Sequence, residues 1–80
     1  MDHEYEVIFY RDVEGQDDLD TRVVSIAIAV KFTDLSDGDE DSWDDVINEA
    51  RSQATDLDDA WQVSHVYSDL GFSAFPPANV

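Results

Sequence analysis

Hydrophobic and polar residues alternate along three stretches of this chain and fall at helical spacing along a fourth. Over 4–11, Tyr5, Val7 and Phe9 take one set of alternate positions and Glu6, Ile8 and Tyr10 the other. That is the period of a strand, here apolar on both faces. Over 22–33, Val24, Ile26, Ile28, Val30 and Phe32 make one face and Ser25, Ala27, Ala29 and Lys31 the other. Over 60–69, Trp61, Val63, His65 and Tyr67 alternate with Gln62, Ser64, Val66 and Ser68. Between the second and third stretches, Trp43, Val46, Ile47, Ala50 and Ala54 follow the spacing of one buried stripe and predict a helix over 43–55. The tail, 70–80, is apolar and irregular, and Pro76-Pro77 stops regular structure.

The order β-β-α-β predicts a single small α+β domain spanning 1–80. A right-handed helical crossover would bring the third strand back parallel to the second. Placing it beside the first strand instead gives a three-stranded antiparallel sheet in order 2-1-3, with one helix packed on one face. The first strand, apolar on both sides, suits the centre. The second sheet face then carries Ile8, Tyr10, Val23, Ala27, Ala29 and Val66, which is too much apolar surface to leave wet. Either the tail covers it through Phe72 and Phe75 or a second subunit does, so a homodimer is one expected partner.

Charge changes the picture. Eighty residues carry 20 acids and only four strong bases, for a net charge of −16. Such charge would suggest disorder if the chain were poor in apolar residues, but 42% of it is hydrophobic. With no cysteine there is no disulfide and no thiolate chemistry, which fits a cytoplasmic setting. Asp-His-Glu after Met1 is unlike a signal peptide, and no apolar run is long enough to span a membrane. An anionic surface repels nucleic acid and anionic lipid, leaving a basic protein surface or a metal ion as the electrostatic partner.

The acids gather in three stretches. Seven of the twelve residues in 34–45 are carboxylates: Asp34, Asp37, Asp39, Glu40, Asp41, Asp44 and Asp45. This stretch reads as a strand-to-helix loop, with Ser42 and Asp45 in capping-box positions and Asp44 and Asp45 at the positive end of the helix dipole. Asp37, Asp39, Glu40 and Asp41 have no such local reason. Asp56, Asp58 and Asp59 follow the helix, at the end where its dipole disfavours acid. Asp12, Glu14, Asp17, Asp18 and Asp20 form a secondary acidic loop between the first two strands.

Other chemistry is sparse. Asp37-x-Asp39-x-Asp41 resembles the opening of a calcium loop, but Ser42 stands where that loop has its glycine and Asn48 where it has its closing glutamate. The three are a candidate for weak divalent binding, and no cofactor is expected. His65 reads as a core histidine, and no second histidine lies at zinc-ligand spacing. There is no nucleophile elbow and no singled-out carboxylate pair, so an enzyme is not expected. Trp43 and Trp61 read as core anchors bracketing the helix.

Carboxylates on a strand at i and i+2 lie about 6.8 Å apart, and each DNA strand carries a charge about every 3.4 Å of axis, so staggered acids can imitate a row of phosphates. In size, charge, lack of cysteine and the β-β-α-β pattern around the Asp34–Asp45 and Asp56–Asp59 clusters, the chain resembles small acidic phage-encoded DNA-mimic inhibitors, among them anti-CRISPR proteins. That resemblance implies binding to the Lys/Arg-lined groove of a crRNA-guided complex, or another nucleic-acid-handling protein, in a host cytoplasm. It assigns partner contact to Asp34, Asp37, Asp39, Glu40, Asp41, Asp44, Asp45, Asp56, Asp58 and Asp59. The competing expectation is a halophilic or generic interaction module whose acidity is solvation, because 15 of the acids are Asp and Lys31 is the single lysine.

Overall fold

A computed structural model describes residues 1–77. The elements are β1 (His3–Arg11), β2 (Asp20–Ile28), α1 (Phe32–Ser36), α2 (Glu40–Gln53), β3 (Gln62–Ser68) and β4 (Ser73–Ala74). The sheet is antiparallel throughout, in order β2-β1-β3-β4. The expected 2-1-3 arrangement is therefore present, extended by one short strand. β1 is central because it alone is apolar on both faces. Tyr5, Val7 and Phe9 point into a core with Val24, Ile26 and Val66 from the sheet, Leu35 from α1, and Trp43, Val46 and Ala50 from α2. Trp43 and Trp61 are both buried, as anchors at opposite ends of α2.

Most boundaries differ from expectation by one or two residues, and the end of β2 and the start of α2 differ by more, each for a physical reason. β2 ends at Ile28 rather than running to Thr33, because Ile28 pairs with His3, the first residue of β1, and no partner lies beyond it. The apolar residues that follow leave the strand period. Val30 accepts a hydrogen bond from the Tyr5 hydroxyl, and Phe32 opens the one-turn helix α1, which buries Leu35. The stretch expected to be a loop is therefore partly helical. Gly38, at φ +80°, ends α1 in the left-handed conformation that glycine adopts without a Cβ penalty. Its N–H donates to Leu35 O and that of Asp39 to Asp34 O, the paired bonds of a Schellman turn.

α2 begins at Glu40, three residues earlier than the apolar stripe implies, and its N-cap is Asp39, whose side chain accepts from the Asp41 N–H at 3.1 Å. Ser42 is buried inside the helix and caps nothing, so the Ser42–Asp45 capping box is overturned. The true cap lies three residues earlier because Gly38 frees Asp39 for it.

β3 contains a bulge. Ile8 faces His65 but Phe9 faces Val63, leaving Ser64 as the extra residue. The bulge reverses the alternation. Val66, expected on the second face, is fully buried in the core, and His65, expected in the core, lies on the open face with Tyr67 edge-on at 4.5 Å. The tail turns at Gly71 (φ +86°) and pairs with β3 as β4, placing Ala74 in the core. Phe72 stacks on Phe32 at 5.3 Å on the helix side, while Phe75 reaches only His65 at 5.7 Å on the open side. The tail through Pro77 thus leaves Val23 exposed and Ile8 and Tyr10 half-buried; residues 78–80 lie outside the described residues.

Candidate functional site

The strand register sorts the acids by end. Tyr10 lies opposite both Thr21 and Gln62, so the β1–β2 loop and the α2–β3 loop meet at one end of the sheet, called here the upper end. Tyr5 lies opposite Ile26 and Ser68, so the chain entering α1 and the β3–β4 turn meet at the other. The longest dimension, 43 Å, leaves room for two separate electrostatic regions.

The upper end gathers Asp12, Glu14, Asp17, Asp18, Asp20, Asp56, Asp58 and Asp59. It also holds three of the four strong bases. Arg11 pairs with Asp20 at 2.7 Å and lies over the Trp61 ring. Arg22 pairs with Asp56 at 2.5 Å. The hydrogen bond from Arg22 is the main reason the Asp56 carboxyl is held below its ordinary value. Arg51, in the last turn of α2, donates to the carbonyls of Asp58 (3.1 Å) and Trp61 (2.6 Å) and covers the Phe9 ring. Asp58 in turn accepts from the Ala60 N–H at 3.0 Å. Three of the eight acids here thus have structural partners, although Asp56, Asp58 and Asp59 follow a helix C-terminus.

The lower region is a band along α1 and the outer side of α2: Asp34, Asp37, Asp39, Glu40, Asp41, Asp44, Asp45 and Glu49. No lysine or arginine lies within 32–50. Both ion pairs found among the described residues are at the upper end. Local roles account for part of the band. Asp39 is the N-cap, and Glu40 and Asp41 occupy the first turn, where the dipole welcomes acid. The reading that Asp39, Glu40 and Asp41 lack a local reason is corrected by this. Asp44 and Asp45 sit a turn further in and outside that favourable zone. Asp41, Asp45 and Glu49 then fall at successive i, i+4 positions, about 6 Å apart along the axis. Like charges at that spacing cost a helix roughly 0.2–0.5 kcal/mol per pair. Asp34, Asp45 and Glu49 also line one groove, with Ile28, Ala29, Val30 and Asn48, between the end of β2 and α2.

The lower field reaches Tyr5. Its hydroxyl is pushed above its ordinary value first by burial, then by the charges of Asp69 and Asp34. Asp37, Asp39 and Asp41 do not converge. Asp37 is the C-cap of α1, and the Asp39 side chain is turned back onto its own helix. No group of three or more His, Cys, Asp or Glu side chains able to hold a metal ion exists among the described residues.

Sequence reasoning missed Glu49 as a member of the band, although its i, i+4 relation to Asp45 was readable. It also missed which acids are neutralised, for which no local signal exists. No helix among the described residues is long and apolar enough to cross a membrane. No protein-family model, no curated protein and no solved structure matches this chain.

Proposed function

We propose that the protein is an acidic inhibitor that presents its lower carboxylate band to the Lys/Arg-lined nucleic-acid groove of another protein, with a crRNA-guided complex in a host cytoplasm as the first partner to test. One observation carries this reading. From Phe32 to Ala50 the band has no lysine or arginine, Lys31 lying only at its start as the N-cap of α1, while Arg11, Arg22 and Arg51 are all committed at the other end. Glu49 accepts a hydrogen bond from Gln53 at 3.0 Å, but acid at Asp45 costs the helix a little and has no hydrogen-bond or ion-pair partner among the described residues, so its use points outside the molecule.

A second reading has its own observation. Acids crowd both ends of the molecule, as they would if acidity served solvation in high salt.

Displacement of labelled duplex DNA from a panel of nucleic-acid-handling proteins, crRNA-guided complexes included, separates the two. On the inhibitor reading the protein displaces duplex at low salt, and the effect falls steeply as salt rises. Changing Asp41→Asn, Asp45→Asn and Glu49→Gln together weakens it by about tenfold or more. The same variant keeps about the same stability, because the like-charge pairs it removes offset the dipole contribution lost at Asp41. Changing Asp12→Asn, Asp17→Asn and Asp18→Asn in the upper loop leaves displacement nearly intact. If both variants act alike, or no member of the panel is displaced while stability climbs into molar salt, the acidity is solvation.

A further inference from the structure

We propose that the outer edge of β2 is a docking site for an extended, cationic polypeptide segment of a partner protein, which adds a strand to the sheet. The two edges of this sheet are built differently. On one side β4 is two residues long and is followed by Pro76-Pro77, the short, proline-guarded edge that resists further pairing. On the other, β2 runs for nine residues in unbroken register with β1, without proline, lysine or bulge. Its only ionisable residues, Asp20 and Arg22, lie at its start and are occupied by Arg11 and Asp56. From Val23 to Ile28 the edge is uncharged. Alternate residues of an outermost strand aim their N–H and C=O groups away from the sheet. Among the described residues those of β2 meet no other backbone group.

The chemistry of the flanks selects the occupant. On the open face the β2 side chains beside an added strand are Val23, Ser25 and Ala27, all exposed, and the last two are small enough to leave room for larger apolar neighbours. On the helix side, the groove at the end of β2 is walled by Asp34, Asp45 and Glu49. Successive side chains of a strand point to opposite faces. The fitting segment therefore alternates basic residues toward α2 with apolar residues toward the open face. A second copy of this chain fits poorly, since two-fold pairing along β2 would set this acidic wall against itself on molecules of charge −16. Backbone pairing supplies affinity and the alternating flanks supply selectivity. The site does not depend on the inhibitor reading, because it needs no nucleic-acid groove.

The test is a labelled synthetic peptide of alternating lysine and valine, titrated by fluorescence anisotropy and followed by amide shifts in the protein. The control is the same peptide N-methylated at the alternate amides that would face β2, which keeps the charge and removes the backbone bonds. The unmodified peptide should bind about tenfold tighter than the control. Its shifts should concentrate on Val23–Ile28, and the Asp45→Asn, Glu49→Gln double variant should weaken it by about tenfold. The amide spectrum of that variant checks that it folds. Equal binding of the N-methylated peptide, shifts centred elsewhere, binding indifferent to the double variant, or a protein self-associated along β2 that the peptide cannot open would each overturn the proposal.

Discussion

Two regions of this molecule are equally acidic in composition and opposite in electrostatic character. The upper end and the lower band each carry eight carboxylates, yet three arginines reach into the first and only Lys31, the N-cap of α1, adjoins the second. Two titrating groups respond to the difference. At the upper end the Arg22 hydrogen bond lowers Asp56, whereas at the lower end Asp69 and Asp34 add to burial in raising Tyr5. A count of acids along a sequence therefore says little about the field they produce. What matters is where the few bases are spent. Here the three arginines are spent holding the α2–β3 connection and the sheet end together, and the band holds no ion pair among the described residues.

The largest test of this contrast is Trp43→Ala. Trp43 fills the core beneath the band, and its Nε1–H donates to the Leu35 carbonyl at 3.1 Å, tying α1 to α2. Truncation should cost about 3–5 kcal/mol by urea unfolding, enough to leave a small domain barely folded. Trp43→Phe should cost clearly less. If Ala and Phe cost the same, the hydrogen bond rather than the packing joins the two halves of the band.

Next is Arg51→Ala, which leaves the Asp58 carbonyl with only the Trp61 N–H, takes the guanidinium donor from the Trp61 carbonyl and uncovers Phe9. The expected loss is about 1–3 kcal/mol, partly restored by Lys. A neutral result would mean that the upper arginines only offset charge, and the contrast would shrink to simple neutralisation.

Asp39→Ala should cost about 1 kcal/mol through the lost cap, and Asp39→Asn almost nothing, since asparagine caps as well. Equal losses from the two would show that the charge at Asp39, not the cap, is what the band contributes to the fold.

The smallest effects are in pH. The raised Tyr5 value means that its share of stability is complete below 10.0 and is lost as pH rises through the folded value. Changing Asp34→Asn and Asp69→Asn should bring that alkaline limb back toward 10.0. The lowered Asp56 value means that its share is complete above 3.8 and is lost as pH falls through the folded value, and Arg22→Gln should flatten that acid limb. Carboxyl shifts in NMR titrations and melts across pH check both. If either limb ignores its substitution, the two regions do not differ in the way described.

Alternation along 4–11 and 22–33 and the helical stripe from Trp43 to Ala54 were enough to indicate the first two strands, the helix and their core faces. A strand or helix imposes its own period on the side chains it buries, so these features are local. Everything that required two distant segments to meet was decided by the tertiary structure. The apolar run after Ile28 could have extended β2, but β1 begins at His3 and offers no further partner. The pattern over 60–69 assigned His65 to the core and Val66 to the open face, and one extra residue at Ser64 exchanged them, because a bulge is defined only against the strand it pairs with. Phe72 and Phe75 were legible as apolar, but pairing of β4 with β3 sends them to opposite faces. Arg22 and Asp56 lie 34 positions apart in the chain and within 2.5 Å in space. The sequence determined how many charges there would be, and only the fold determined which of them would be left unpaired.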